Sequence, residues 1–176
     1  LVNTLSAEEL ADLICRFGEE RWSRRIARNI VRARAEAPIA STEHLAELIR
    51  HAIPAGKRSR QRHPATRTFQ ALRLAVNREL DHLQSFLQGA LDILRPGGRL
   101  AIISFHSLED RIVKHTFSNW ARSCRCPADL PICSCEERPL VRSVNKKPVV
   151  PGAQEIKANP RSRSSRLRVA EKIAAA

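Results

Sequence analysis

The sequence contains no methionine and no long apolar run. None of its 176 residues is methionine. An initiator methionine is usually removed only before a small residue, and residue 1 is leucine, so we expect a segment of a longer chain. No apolar run is long enough to span a bilayer, and no signal peptide precedes the first predicted helix. These absences favour a soluble, cytoplasmic protein.

Acidic residues are scarce relative to basic ones. The chain has 31 lysines and arginines against 18 aspartates and glutamates, a formal net charge of +13. Most of the basic residues are arginine, whose planar guanidinium pairs with phosphate and stacks on bases. The excess predicts a polyanionic partner, with nucleic acid as the leading candidate. A basic surface that binds nothing is the alternative.

Three short helices are predicted at the start of the chain. Ser6 and Glu9 form the Ser-x-x-Glu pattern of a capping box, and the helix that follows keeps its apolar residues on one face up to residue 18. Further helices are predicted over 19–34 and 42–54. Together they predict a small all-helical module. Arginines crowd the polar side of the second helix, at Arg21, Arg24, Arg25, Arg28 and Arg32.

A basic loop and a long helix are predicted next. The segment 55–67 has no apolar period and no acidic residue, which is typical of a mobile basic loop. From Phe69 to Leu94, apolar residues recur every three or four positions, which predicts one continuous helix. Pro96 and the two glycines after it are expected to end this helix.

An apolar strand follows the Pro-Gly turn. Residues 100–105 (LAIISF) are almost all apolar, which is typical of a strand buried on both faces in a parallel sheet. A helix, a Pro-Gly turn and such a strand form an α/β unit. Another helix is predicted near Ser107, and two further strands over 140–144 and 166–170. These elements predict an α/β fold.

Four cysteines form a Cys-x-Cys-x6-Cys-x-Cys pattern inside a proline-containing loop. Four thiolates this close can bind zinc tetrahedrally, but the Cys-x-Cys spacing is less typical of zinc sites than Cys-x2-Cys. Reduced loop thiols are the favoured alternative in a reducing cytoplasm, so no metal site is assigned. Cys15 is predicted to lie in the helical core. The four loop cysteines are Cys124, Cys126, Cys133 and Cys135.

Three segments resemble one protein family, in the family's own order. They are His63–Arg73 with its continuation Asn77–Glu79, then Gly98–Arg111, and finally Asn159–Glu171. Together they resemble the MraW/RsmH family, the bacterial methyltransferases of small-subunit ribosomal RNA, over essentially the whole chain. The resemblance implies transfer of a methyl group from S-adenosylmethionine to N4 of a cytidine in the decoding region of 16S ribosomal RNA.

The resemblance also implies a division of the chain. The family has a class I, Rossmann-like methyltransferase domain interrupted by a helical insertion. On that pattern, residues 1–62 are the all-helical insertion, and residues 63–176 are the C-terminal half of the methyltransferase domain. The family's glycine-rich cofactor loop and acidic ribose-binding residue would lie before Leu1. Because Gly97-Gly98 leads into a strand and not into a helix, it does not replace that loop.

We therefore assign no cofactor-binding residue to this chain. S-adenosylmethionine is expected to bind through the missing N-terminal half, and the isolated chain is expected to be inactive. The unpaired inner strand of a half sheet is an aggregation hazard. A homodimer or pairing with the missing half would relieve it.

Two sets of side chains are candidates for substrate binding. Side chains that follow the strand 100–105 lie at the edge where ligands bind in open α/β sheets. Side chains at helical spacing on the polar side of the helix 69–94 are expected to bind RNA phosphates or the target base. A helix cap and a solvated helix face are the respective alternatives. The candidates are Arg67, Gln70, Asn77, Ser104, His106 and Ser107.

No residue is assigned to covalent catalysis. The sequence has no convincing Ser/His/Asp or Cys/His constellation, which agrees with direct methyl transfer accelerated mainly by positioning. A non-catalytic RNA-binding module is the alternative function, and a zinc-stabilised adaptor is a third. The partner that the resemblance implies is 16S ribosomal RNA or the small ribosomal subunit. The expected phosphate-binding residues are Lys57, Arg58, Arg60, Arg62, Arg161 and Arg163.

Overall fold

The computed structural model divides the chain into two compact units. It describes residues 1–57, 63–124, 126 and 138–173. The units comprise residues 1–79 and 80–176, and each has an apolar core of its own. In the described ranges, no helix is both long and apolar enough to cross a membrane.

The first unit is helical. The capping box predicted for its first helix is confirmed, because Ser6 Oγ accepts from Glu9 N at 3.2 Å and the Glu9 carboxylate accepts from Ser6 N at 2.7 Å. The second helix begins a few residues later than predicted, and the third follows the prediction closely. The helices are α1 (Ala7–Gly18), α2 (Ser23–Glu36), α3 (Thr42–Ala52) and α4 (Thr66–Asn77), with a 3-10 turn at Ala55–Lys57.

The core of the first unit brings α4 into contact with the helices before it. α1 packs against both α2 and α4, and α2 packs against α3. Their apolar faces meet at fully buried residues such as Leu10, Ile26 and Ile49. The compact unit therefore runs past residue 62 to Glu79. The domain boundary at residue 62 remains a prediction, because it concerns how the family's insertion joins its methyltransferase domain.

The second unit is a small three-stranded sheet with helices. The strand order is β1-β3-β2, and β3 runs antiparallel to both neighbours, so β1 and β2 are parallel to each other. The mixed α/β class and the two C-terminal strands are as predicted. The elements are α5 (Glu79–Gly89), β1 (Arg99–Ser104), α6 (Ser107–Trp120), β2 (Val141–Ser143), α7 (Ala153–Ala158) and β3 (Arg166–Lys172), with a 3-10 helix at Pro160–Ser164.

The single helix predicted over 69–94 is wrong. The chain breaks at Arg78, which has a left-handed φ of 51°, so α4 and α5 are separate helices. The Glu79 carboxylate stabilises this turn, since it accepts from Arg73 Nε at 2.8 Å and from Asn77 Nδ2 at 3.1 Å. The apolar period continues through the break, which is why periodicity alone does not reveal it.

The prediction that β1 is buried on both faces is also wrong for the described chain. Leu100 and Ile102 pack into the core beneath α6, whereas Ile103 on the opposite face is 57% exposed. The strand partner is antiparallel β3, not a parallel strand. Apolar residues on both faces hide the period of two that marks a half-buried strand.

The turn that leads into β1 is fixed by the end of β3. Gly97 has a φ of 78°, a conformation that other residues resist. Its N–H donates to the Lys172 carbonyl at 2.8 Å, and Lys172 N donates to the Gly98 carbonyl at 2.9 Å. Lys172 Nζ also donates to the carbonyls of Leu91 and Leu94, at 2.8 and 2.9 Å. Lys172 therefore stabilises the turn before β1 through both its backbone and its side chain.

We expect Gly18→Ala to destabilise the first unit. A Cβ at Gly18 would lie 2.7 Å from the Arg67 carbonyl oxygen, so α1 and α4 would have to separate. Overpacking of this kind costs about 1–3 kcal/mol, measurable as a loss of unfolding free energy in urea. The control is Gly89→Ala at the end of α5, where a Cβ meets no atom within 4 Å. Equal stability of the two variants would contradict the prediction.

Candidate functional site

The carboxyl end of β1 is shaped by a histidine cap. His106 Nδ1 accepts from Glu109 N at 3.3 Å, and the Glu109 carboxylate accepts from His106 N at 3.2 Å and Phe105 N at 2.8 Å. Because Nδ1 is an acceptor, the proton of the neutral ring lies on Nε2, which is 3.4 Å from Glu109 Oε1. His106 is therefore the N-cap of α6, with a fixed ring orientation.

The serines on either side of His106 differ in exposure. Ser104 is 1% exposed, and its hydroxyl has no hydrogen-bond partner among the described residues. Ser107 is exposed in the first turn of α6. Of the two, only Ser107 presents its side chain to solvent in this conformation. The substrate-binding roles of both serines and of His106 remain predictions.

The candidates on α4 have different surroundings. Arg67 Nη1 donates to the Glu19 carbonyl at 3.3 Å and lies 3.9 Å from the buried Glu20 carboxylate, so it holds the turn between α1 and α2. Asn77 is committed to the Glu79 carboxylate. Gln70 is partly buried in α4, and its side-chain amide makes no hydrogen bond among the described residues. Gln70 is therefore the member of this set whose side chain has no hydrogen-bond partner in the described chain.

The register of the sheet brings two predicted sets together. Ser104 at the end of β1 lies opposite Arg166 at the start of β3. The 3-10 helix that leads into β3 carries Arg161 and Arg163, both exposed. These arginines thus approach the same end of the sheet as Ser104 and the histidine cap. Lys57 is exposed in the first unit, whereas the remaining predicted phosphate contacts, Arg58, Arg60 and Arg62, lie outside the described residues.

A buried carboxylate joins α6 to β3 at this end of the sheet. Asp110 Oδ1 accepts from Arg168 Nε at 2.7 Å, and Oδ2 accepts from Arg168 Nη2 at 3.1 Å and Arg166 Nη1 at 2.9 Å. The Arg168 hydrogen bond, followed by that of Arg166, lowers the pKa of Asp110 against the opposing effect of burial. Sequence patterns did not reveal this group.

A second ion-pair group crosses all three strands. The Glu171 carboxylate on β3 accepts from Arg99 Nε on β1 at 2.9 Å and from Arg142 Nη2 on β2 at 2.6 Å. The hydrogen bonds from Arg99 and then Arg142 lower the pKa of Glu171. Both guanidiniums are largely exposed, and the single carboxylate offsets only part of their charge on the sheet surface.

The structure describes two of the four loop cysteines. Cys124 is exposed and Cys126 is half-buried, and Cys126 N donates to Cys124 Sγ at 3.3 Å. Cys133 and Cys135 lie outside the described residues, so the zinc hypothesis stays open. Cys15 is exposed, and its predicted place in the core is wrong. It occupies the solvent side of α1, beside the apolar face and not on it.

Fold and site together define a basic α/β protein. Its histidine cap, buried Asp110 group and exposed arginines meet at one end of a sheet, where α/β proteins bind ligands. A family model described as the MraW methylase family matches residues 1–173, so the chain belongs to that family. This confirms the resemblance carried by the three motifs.

Similar curated proteins have one name in common. The "Ribosomal RNA small subunit methyltransferase H" of Syntrophobacter fumaroxidans is 59% identical over 172 residues, covering 98% of this chain and 54% of that protein. The protein of the same name from Symbiobacterium thermophilum is 57% identical over 175 residues, covering 99% and 55% respectively. That of Geobacter sulfurreducens is 54% identical, covering 98% and 56%. The chain spans about half the length of these relatives.

We expect Asp110→Asn to destabilise the second unit and to change its acid response. The substitution keeps the side-chain shape but leaves two guanidiniums without their carboxylate. The free energy of unfolding at neutral pH should fall by about 2 kcal/mol, less than for a fully buried pair because Arg166 is half exposed.

The pH dependence has a definite sign. Because the folded pKa of Asp110 is lowered, its stabilisation is complete above the usual aspartate pKa of about 4 and is lost as the pH falls through the folded value. Urea unfolding as a function of pH should show a smaller loss in the variant than in the wild type, because the lowered pKa of Glu171 remains in both. Asp92→Asn, at an exposed position in the same unit, is the matched control. An unchanged acid limb in Asp110→Asn would contradict the assignment.

Proposed function

We propose that this chain is the C-terminal part of an S-adenosylmethionine-dependent methyltransferase that acts on N4 of a cytidine in the decoding region of 16S ribosomal RNA. The observation that carries the proposal is the family match over residues 1–173, together with relatives named for methylation of small-subunit ribosomal RNA. Bacterial ribosomal RNA is a cytoplasmic substrate, so the proposed location is the cytoplasm.

The sheet supports a class I, Rossmann-like assignment. β1 and β2 run parallel with antiparallel β3 between them. Sheets of doubly wound α/β proteins commonly carry one antiparallel strand near an edge of an otherwise parallel sheet. We propose that β1 continues the parallel part of such a sheet in the longer family proteins, and that the helices of residues 1–62 are an insertion in that domain.

The chemistry needs orientation more than a protein nucleophile. The N4 lone pair is delocalised into the cytosine ring, so hydrogen bonding that weakens this conjugation and aligns the amine accounts for most of the acceleration. When bound, S-adenosylmethionine would supply the methyl group from its sulfonium: the S–CH3 bond breaks as the N–C bond forms, S-adenosylhomocysteine leaves, and the proton of the amine passes to solvent. We propose that its binding residues lie in the part of the family protein outside this chain.

Side chains at the end of β1 are proposed to orient the cytidine. The neutral ring of His106 is held by the α6 cap, and Ser107 offers an exposed hydroxyl beside it. Arg161 and Arg163 approach the same end of the sheet and are suited to flanking phosphates. In this proposal, Arg161 and Arg163 position the RNA through its phosphates, while His106 and Ser107 contact the base.

A chimaera tests the proposed reaction. This chain would replace the matching segment of the Syntrophobacter fumaroxidans relative, and methyl transfer from labelled S-adenosylmethionine to small-subunit ribosomal RNA would be measured. We expect the chimaera to methylate N4 of one decoding-region cytidine, identified by nuclease digestion and mass spectrometry. We expect the isolated chain to transfer none.

The relative itself is the positive control. RNA binding by an inactive chimaera, while the relative is active, would favour the non-catalytic RNA-binding module. A methyl group on another atom would contradict the proposed specificity.

Gln70 gives a test of the α4 candidates. In the chimaera, we expect Gln70→Ala to lower the methyl-transfer rate at saturating S-adenosylmethionine by about tenfold, a cost of about 1.4 kcal/mol. The physical reason is that its amide has no partner in the described chain and is available to the substrate. Gln84→Ala on the exposed side of α5 is the matched control. Equal rates for the two variants would remove Gln70 from the substrate site.

A further inference from the structure

The polar side of α2 carries a row of arginines. Arg25, Arg28 and Arg32 are all exposed, and they follow each other at the three- and four-residue steps that keep side chains on one helix face. The opposite face buries Ile26 and Ile30 in the unit core. At 1.5 Å rise per residue, the row extends about 10 Å along the helix, comparable to a few successive phosphates of one nucleic-acid strand.

No carboxylate among the described residues forms an ion pair with this row. Arg28 Nε donates to the Arg24 carbonyl at 3.3 Å, and Arg32 Nη2 donates to Asn29 Oδ1 at 3.0 Å. Both acceptors are uncharged, so the guanidiniums are oriented while their charge is retained. Like charges three or four residues apart on a helix repel each other. The row therefore costs stability in the unbound protein.

The row borders a concave surface formed with α3. A cavity of about 350 Å³ is lined by Arg25, Arg28, Asn29, Arg32 and His51. Asn29 Nδ2 donates to the Leu48 carbonyl at 2.8 Å, which ties α2 to α3.

Neighbouring groups also fix the His51 ring. Its Nδ1 lies 2.8 Å from the Glu47 carbonyl, and its Nε2 lies 3.2 Å from Arg50 Nη2. Since Arg50 can only donate, Nε2 accepts and Nδ1 carries the proton of a neutral ring. The cavity thus combines three guanidiniums with polar groups held in place by other contacts.

We propose that this α2–α3 surface, defined by Arg25, Arg28, Arg32, Asn29 and His51, binds the phosphates of an RNA strand. Guanidiniums that keep their charge and line a concave, preformed surface suit oxyanions. The choice of RNA among polyanions rests on the proposed function. The surface lies on helices separate from α4 and from the end of β1, so it adds a second area of RNA contact.

The lack of exposed apolar residues argues against a protein or membrane partner. Protein interfaces are built around apolar and aromatic residues with a polar rim, and membrane-surface helices present an apolar face beside a basic one. In the described chain, none of the large exposed apolar residues lies on α2 or α3. Arginine without an apolar centre is the pattern of contact with nucleic-acid phosphates.

Acidic residues on α1 mark one limit of the surface. Glu8 and Asp12 line an adjacent cavity of about 650 Å³ with Arg24 and Arg28, but form no ion pair with either. They lower the local positive potential without binding the guanidiniums. Their removal should therefore strengthen phosphate binding, a change in the opposite direction from loss of the arginines.

The test measures RNA binding by the full chain, with no methyl transfer involved. The probe is a fluorescently labelled decoding-region RNA, titrated at several salt concentrations. We expect the triple variant Arg25→Gln, Arg28→Gln, Arg32→Gln to weaken binding by at least about tenfold. The slope of log affinity against log salt should fall by about 2, as expected for three phosphate contacts on a single strand. Glu8→Gln with Asp12→Asn should raise the affinity.

A second triple variant controls for net charge. Arg95→Gln, Lys114→Gln, Arg122→Gln removes the same charge from exposed positions of the second unit and should change the salt slope by less than the α2 variant. Thermal unfolding separates binding from folding, because relief of like-charge repulsion should leave the α2 variant at least as stable as the wild type.

Several outcomes would overturn the α2–α3 assignment. They are equal salt slopes for the two triple variants, no RNA binding by the wild-type chain, or equal affinity for an acidic polypeptide. If the chimaera methylates RNA normally while the α2 variant binds RNA like the wild type, this surface fails and the proposed reaction stands. If the α2 variant loses RNA while no chimaera is active, the surface stands and the reaction fails.

Discussion

The end of the sheet depends on one buried carboxylate. Asp110 lies in the first turn of α6, directly after the His106 cap, and its two oxygens are held by Arg166 and Arg168 of β3. A buried charge is tolerated only when it is paired and hydrogen-bonded. The pairing thus fixes the start of α6 against the start of β3. The His106 cap, held by Glu109, and the arginines that lead into β3 are attached to the two elements that this pairing joins.

Local sequence signals predicted the elements of this chain well. The capping box at Ser6, the extent of the third helix and the two C-terminal strands each depend on a few neighbouring residues. The failures have a different cause. The break at Arg78 is stabilised by Glu79 with Arg73 and Asn77, and an unbroken apolar period hides it. The faces of β1 depend on which elements pack against them, and a short apolar run does not contain that information.

In the candidate site, too, local features were visible in the sequence and long-range contacts were not. The residues that follow β1 were predicted, because ligands bind at strand ends in α/β sheets. Their joint position with Arg161 and Arg163 comes from the antiparallel register, which pairs Ser104 with Arg166 across a long stretch of sequence. The sequence did not reveal Asp110 as an ion-pair residue, because its arginine partners are more than fifty residues away. In the sequence, Asp110 stands in the segment Gly98–Arg111 and its arginine partners stand in the segment Asn159–Glu171. Nothing local to either segment shows that they pair.

The arginines of this chain fall into two groups with different electrostatic consequences. Four arginines form ion pairs with Glu171 or Asp110, and these ion pairs stabilise the second unit. They are Arg99, Arg142, Arg166 and Arg168. Arg25, Arg28 and Arg32 have no carboxylate partner in the described chain, and their mutual repulsion opposes folding. Two carboxylates offset half of the charge of the first group, whereas no carboxylate among the described residues pairs with the second. A stability cost that no carboxylate in the described chain offsets favours a bound anion, which is why the unpaired row and not the total of +13 is the argument for the proposed RNA surface.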